Sequence, residues 1–242
     1  MSTTETPDGV DLDRLGPWFA VNVPGYEGAP LTASLIAGGR SNLTYVVSDG
    51  TTEWILRRPP LGHVLPTAHD MVREARVMSA LRDTVVPVPT VLGSCDDLAV
   101  NDAPFYVMAK VDGIIYRDAR ALATLSAADA GRVSHALVDV LADIHAVDFA
   151  AVGLADFGRP DGYCERQVRR WGEQWERSKT REIPAMDRLQ EWLSARLPES
   201  RRVAVLHNDW KLDNAMFAVD DPGRLVAVSG AVSLVAMVLA WA

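Results

Sequence analysis

The feature that most limits the fold is one change of character near residue 110. Before it, short runs rich in Val, Ile, Leu and Tyr alternate with turn residues. "LTASLIAGG" (31–39), "NLTYVVSDG" (42–50) and "EWILRRP" (53–59) read as three strands. Asp49-Gly50 is a hairpin signal between the second and third, because such pairs tolerate positive φ. A single helix follows over 68–82. Met71, Ala75, Met78 and Leu81 form its apolar stripe, Asp70 caps it, and Glu74 is expected opposite the most apolar positions. "VPVPTVLG" stops that helix and restarts an extended segment, and "APFYVMAKVDG" (103–113) is a further strand that closes at an Asp112-Gly113 turn.

Beyond the turn the pattern becomes helical. Residues 126–148 open with a Ser126/Asp129 capping arrangement and set Val133, Leu137, Val140, Leu141 and Ile144 on one face. Helices are also predicted over 163–178 and 185–197, with Trp171 and Trp175 one turn apart and expected in the core. "RVAVLHND" (202–209) is a buried strand, and "GRLVAVSG" (223–230) is the last strand candidate. The fold class is therefore α+β: an antiparallel sheet with one helix, then a mainly helical part. Residues 1–30, with Pro17, Pro24 and Pro30, read as a loose lead-in. The divisions are 1–30, 31–110 and 111–242.

Composition excludes several function classes. The chain has 242 residues, 48% hydrophobic and 23% charged, which suits a globular protein of one large or two small domains. The formal charge is −8 with no basic block, which argues against a nucleic-acid partner and mildly favours a cationic substrate. Cys95 and Cys164 make neither a disulfide framework nor a CxxC metal site, so a reducing cytoplasm is expected. "MSTTETPDGVDLDRLG" lacks the apolar core of a signal peptide. The apolar run "SGAVSLVAMVLAWA" (229–242) is too short to span a bilayer comfortably, and no membrane association is expected. The oligomeric state is not read from the sequence.

"VLHNDWKLDN" (205–214) carries the chemistry. His207, Asp209 and Asn214 stand at the H-x-D-x-x-x-x-N spacing of kinase catalytic loops. Phosphoryl transfer needs a roof over the phosphates, a cation on them, an anion holding that cation, a carboxylate facing the incoming hydroxyl, and oxygen ligands for Mg²⁺. The chain offers candidates in that order. Gly38, Gly39, Ser41 and Asn42 would form the roof, Arg57 the strand cation and Glu74 its helix partner. "FYVMAK" (105–110), with Met108, would be the hinge whose backbone pairs with adenine. Asp209 and Asn214 follow, and Lys211 could neutralise charge on the transferred group. His207 is read as a structural brace of this loop. Each feature also has a plainer explanation: a glycine pair makes a tight turn, Arg57 ends a solvated strand, and Glu74 sits on a helix surface.

"GGRSNLTYVV", "WILRRPP", "REARVMSAL" and "VLHNDWKLDN" together resemble the aminoglycoside-phosphotransferase-like family, over roughly residues 30–228. The branch most similar is that of bacterial phosphotransferases related to the kinase-like domain of some acyl-CoA dehydrogenase proteins. The resemblance implies a two-lobed protein-kinase-like fold, with a nucleotide-binding lobe over 31–110 and a mainly helical catalytic lobe over 111–242. It implies ATP- and Mg²⁺-dependent phosphorylation of a small-molecule hydroxyl. Asp209 would be the catalytic base, Asn214 a magnesium ligand, and Arg57 would stand where the family has lysine and pair with Glu74.

Two departures qualify it. The middle residue of the family's His-Gly-Asp is Asn208 here. After "RLVAV" the family carries a metal-binding aspartate, yet no Asp or Glu follows Asp221. The expectation is a C-terminally truncated member with an incomplete catalytic lobe. The competing reading is a kinase-like nucleotide-binding module, or a non-functional fragment, without metal-dependent transfer. A protein kinase is disfavoured because no DFG or APE segment follows.

Overall fold

The computed structural model describes residues 6–36, 42–62, 70–159, 161–199, 202–228 and 233–237. Its contacts gather into two compact units, 1–140 with 209–231, and 141–208 with 232–242.

The first unit is built on a five-stranded antiparallel sheet. β1 (Thr32–Leu35), β2 (Leu43–Ser48), β3 (Glu53–Arg58), β4 (Val91–Cys95) and β5 (Phe105–Ala109) lie in the order β1-β2-β3-β5-β4. β2 and β3 form the expected hairpin, with Val46 opposite Ile55. Its loop has four residues rather than two. The Asp49 carboxylate closes it by accepting from the Thr51 and Thr52 amides at 2.9 and 2.7 Å.

Strand alternation sends the two faces of this sheet into two cores. Tyr45, Val47, Trp54, Leu56, Phe105 and Val107 face one way. Ile55, Tyr106 and Met108 face the other, against Met71, Ala75 and Met78 of α2 (Met71–Leu81). The Asp70 carboxylate caps α2 by accepting from Arg73 N at 2.9 Å. Both faces are thus covered, which is why β5 reads as an unbroken apolar run instead of an alternating one.

The cover on the first face corrects the sequence expectation. Residues 1–30 are not a loose lead-in throughout: α1 (Leu12–Asn22) starts from the Asp11 cap and buries Leu15 and Phe19 in the core of the sheet. Pro17 lies inside this helix. Its missing N–H removes one helical hydrogen bond, and burial of the flanking apolar residues outweighs that loss. Arg14 holds the helix in place through the Asp102 carboxylate at 3.0 and 2.6 Å, just after the one-turn α3 (Leu98–Asn101). The sheet therefore packs between two main helices, not one.

The same unit takes in residues 209–231. β7 (Ala215–Phe217) pairs with β8 (Leu225–Val228), and Ile114 and Phe217 exchange backbone hydrogen bonds at 2.7 and 2.8 Å. Gly113 makes that approach feasible. A Cβ there would stand 2.4 Å from Met216 Cγ and 2.7 Å from the Phe217 oxygen. The Asp112-Gly113 turn thus joins the sheet to β7 instead of separating two contact units.

After the one-turn α4 (Ala119–Leu122), α5 (Ala127–Ala146) opens with the expected reciprocal cap: Asp129 N donates to Ser126 Oγ at 3.1 Å, and Ser126 Oγ donates to the Asp129 carboxylate at 2.7 Å. Val133 and Ile144 are its buried residues. In the second unit, α6 (Tyr163–Ser178) packs on α7 (Pro184–Ser194) at Gly172, where a Cβ would lie 2.0 Å from the Gln190 amide nitrogen. The expected burial of Trp171 fails: it is 60% exposed, with Trp175 half-buried. Gly172, not the tryptophan beside it, makes the helix contact, so Trp171 points away. β6 (Arg202–Leu206) pairs with β9 (Ser233–Met237). Part of the apolar run after residue 229 is therefore a strand. Among the described residues, no helix is long and apolar enough to cross a membrane.

Candidate functional site

Arg57 and Glu74 come together because two periodicities agree. Arg57 follows Ile55 by two on β3, so it shares the face that packs on α2. Glu74 lies three residues after Met71 and four before Met78, inside the stripe that covers that face. The expectation that Glu74 opposes the apolar positions is therefore wrong. Helical geometry places residue 74 within the buried arc, and Glu74 is 7% exposed.

Arg57 Nε stands 3.4 Å from Glu74 Oε1, a close ionic contact without hydrogen-bond geometry. The hydrogen bond to that oxygen comes from Tyr106, whose hydroxyl donates to Oε1 at 3.1 Å. Asn42 Nδ2 donates to Oε2 at 3.4 Å. Burial pushes the Glu74 carboxyl above its usual range, while the Arg57 charge and the Tyr106 hydroxyl oppose that rise. Burial also pushes the Tyr106 phenol well up, and the neighbouring carboxylate adds to it. Met108, two residues past Tyr106 on the same face, is buried in the same cluster, and its backbone sits in the ladder between β3 and β4. Lys110, just beyond β5, pairs with Glu53 at 2.7 Å and Asp112 at 3.2 Å. Gly38, Gly39 and Ser41 lie outside the described residues.

The second cluster follows β6. His207 is buried. Asn208 adopts φ +50, in the left-handed region that suits glycine, where a short polar side chain is tolerated. The same requirement explains how asparagine serves where the resembling family has glycine. A 3₁₀ turn over Leu212–Asn214 then brings the chain back on itself. Asn214 Nδ2 donates to the Asp209 carbonyl at 2.8 Å and to its carboxylate Oδ2 at 3.0 Å. Lys211 Nζ lies 2.9 Å from the same Oδ2. Asp209 and Lys211 are about half exposed, at 53% and 50%. The carboxylate is thus held at Oδ2, and the side chain is about half exposed.

The structure gathers Asn42, Arg57, Glu74 and Met108 around one set of contacts, and Asp209, Lys211 and Asn214 around another. All seven belong to the same compact unit. Sequence reasoning missed Tyr106. Its strand was legible as an apolar run, but its place opposite Arg57 is set by the β3–β5 register, which the sequence pattern does not contain.

Comparison with known proteins decides the family. The model of the phosphotransferase enzyme family, APH, matches residues 32–228. The chain belongs to that family. Among curated proteins it is 41% identical over 179 residues to acyl-CoA dehydrogenase family member 10 of Mus musculus, covering 74% of this chain and 17% of that one. It is 36% identical over 211 residues to acyl-CoA dehydrogenase family member 11 of Rattus norvegicus, covering 86% and 27%. The chain therefore spans about a quarter or less of these relatives. A crystal structure assigned as an aminoglycoside phosphotransferase from Ralstonia eutropha matches with TM-score 0.79 and 33% identity, over 93% of this chain and 66% of that one. The ternary complex of streptomycin, ATP and APH(2")-IIa matches with TM-score 0.58 at 16% identity, over 93% and 72%, a likeness of fold alone. The chain has the α+β, kinase-like fold of these phosphotransferases.

Proposed function

We propose that this member of the phosphotransferase family transfers the terminal phosphoryl group of ATP to the hydroxyl of a small molecule. The observation that carries the reading is the Asp209 carboxylate, held by the Asn214 amide yet half open to solvent, at the spacing of a kinase catalytic loop. Asp209 accepts the acceptor's hydroxyl proton. The acceptor oxygen forms the new P–O bond as the bond to the departing ADP oxygen breaks. Lys211, beside Asp209, offsets charge on the moving group. Arg57, oriented by Glu74, binds the nucleotide phosphates with a charge that persists at any working pH. Asn42 lies beside the phosphates, where the sequence reading also puts Gly39 and Ser41, and the strand end at Met108 borders the adenine.

The donor set fits a magnesium ion carried by the nucleotide. Asn214 spends its amide nitrogen on Asp209, so its oxygen is the hard donor for the metal. Mg²⁺ commonly takes one or two protein oxygens and completes its shell with water and phosphate. Among the described residues, no group of three His, Cys, Asp or Glu gathers. In this reading residues 31–110 serve the nucleotide and 111–242 carry the catalytic loop and receive the acceptor, in the cytoplasm.

The test is MgATP binding by calorimetry, beside ADP release with a panel of small alcohols, for the unaltered chain and Asp209→Ala. The expected outcome is that both bind MgATP within about twofold while the variant loses at least ~10²-fold in transfer. Equal transfer by both chains would sink the assignment of Asp209. Binding with no transfer to any acceptor would favour the nucleotide-binding module.

A further inference from the structure

Three elements converge on Glu74, and they do not contribute alike. β3 brings the Arg57 charge to 3.4 Å of Oε1 without a hydrogen bond. β5 brings the Tyr106 hydroxyl, which donates to that same oxygen at 3.1 Å. Asn42, the residue just before β2, donates to Oε2. β4, which also packs on α2, contributes no Asp, Glu, Lys, Arg or His. Tyr106 is opposite Arg57 in the β3–β5 register, so one strand pair carries both groups.

We propose that Tyr106 is a positioning residue: its hydroxyl anchors Glu74, and the anchored carboxylate fixes the Arg57 guanidinium by charge alone, leaving the arginine's hydrogen bonds for the nucleotide phosphates. Arginine is longer than lysine and offers several N–H groups. If Glu74 depended on Arg57 for its hydrogen bonds, the guanidinium would turn toward the helix. A second donor on Oε1 removes that need. Asn42 adds a lesser hold on Oε2, next to the chain that leads into the proposed phosphate roof. The inference rests on the nucleotide reading for its consequence and on the Tyr106–Glu74 geometry for its premise.

The experiment compares the unaltered chain, Tyr106→Phe, Glu74→Ala and the double variant. Tyr106→Phe removes only the hydroxyl and keeps the ring in its core. It should raise the dissociation constant for MgATP about tenfold, in keeping with the loss of a hydrogen bond to a charged group. Transfer at saturating nucleotide should stay within about twofold. In the Glu74→Ala background the same change should weaken binding by less than about twofold, since the group it acts through is gone. A hydroxyl with a merely structural role would lower the unfolding midpoint and leave MgATP affinity unchanged, and that result overturns the proposal. So does equal weakening in both backgrounds. Failure of the unaltered chain to bind MgATP would overturn the nucleotide reading and the consequence for phosphates. The anchor is read separately, by urea unfolding without nucleotide: losses smaller in the double variant than the sum of the singles support it, and simple additivity overturns it.

Discussion

Glu74 is a carboxyl group taken out of water, and its surroundings set the direction of its titration. Burial favours the protonated form more than Arg57 and Tyr106 favour the charged one, so its pKa lies above the ordinary value of 4.5. A group whose folded pKa is raised binds its proton more tightly in the folded chain than in the unfolded one. Stability from this carboxyl is therefore full below about 4.5 and is lost as pH rises from there through the folded value. Glutamine at this position keeps the shape and does not titrate. The urea midpoint of Glu74→Gln relative to the unaltered chain should accordingly improve as pH rises above about 4.5, measured by tryptophan fluorescence. A difference independent of pH would show that the carboxyl is not perturbed. At the residue scale the kinase spacing made Asp209, Lys211 and Asn214 legible, because all three lie within one loop. Tyr106 was not, because its role depends on the register of β3 against β5, which a single strand's pattern does not contain.

At the scale of elements, α1 is the piece whose removal should cost most. Phe19 is fully buried, and its ring meets Trp18, Tyr26 and Trp54 edge-on at centroid distances of 5.7 to 5.8 Å. Truncation to alanine removes those contacts and leaves a cavity in a core that cannot close over it. Phe19→Ala should destabilise the fold by about 3–5 kcal/mol, read as a lower urea midpoint with an unchanged denaturant slope. A loss under about 1 kcal/mol would mean that α1 docks only loosely. The hairpin, α2, α5, α6 and α7 were legible because each carries its own period and its own stop signals. α1 was obscured by Pro17, which reads as a breaker when the helix is considered alone. What holds it lies far away in sequence: the Asp102 carboxylate on Arg14, and Asn101, whose side-chain oxygen accepts from Asp11 N at 3.0 Å. β9 was hidden for a similar reason, since an apolar run says nothing about which edge it will join.

Over the whole molecule, the chain leaves its first compact unit after Val140, builds α6, α7 and β6, and rejoins at Asp209. Every described residue assigned here to the nucleotide or to transfer, Asn42 through Asn214, therefore lies in one unit despite the long excursion between. That arrangement predicts where a nucleotide is felt. A ligand that binds only the folded form stabilises it by about 2.7 kcal/mol at a hundredfold excess over its dissociation constant. Backbone amides that open only with the unit holding the site should slow by a corresponding factor of about 100. Hydrogen exchange with saturating MgATP should thus show new protection in β3, α2, β5 and the 209–217 segment. Exchange in α6 and α7, which belong to the other unit, should change by much less. Protection confined to α6 and α7 would place the nucleotide elsewhere and remove the basis for reading Arg57 and Asp209 as parts of one machine. Uniform protection of both units would instead show that they open as one cooperative body, in which case the Arg57 and Asp209 variants, not the exchange map, would locate the ligand.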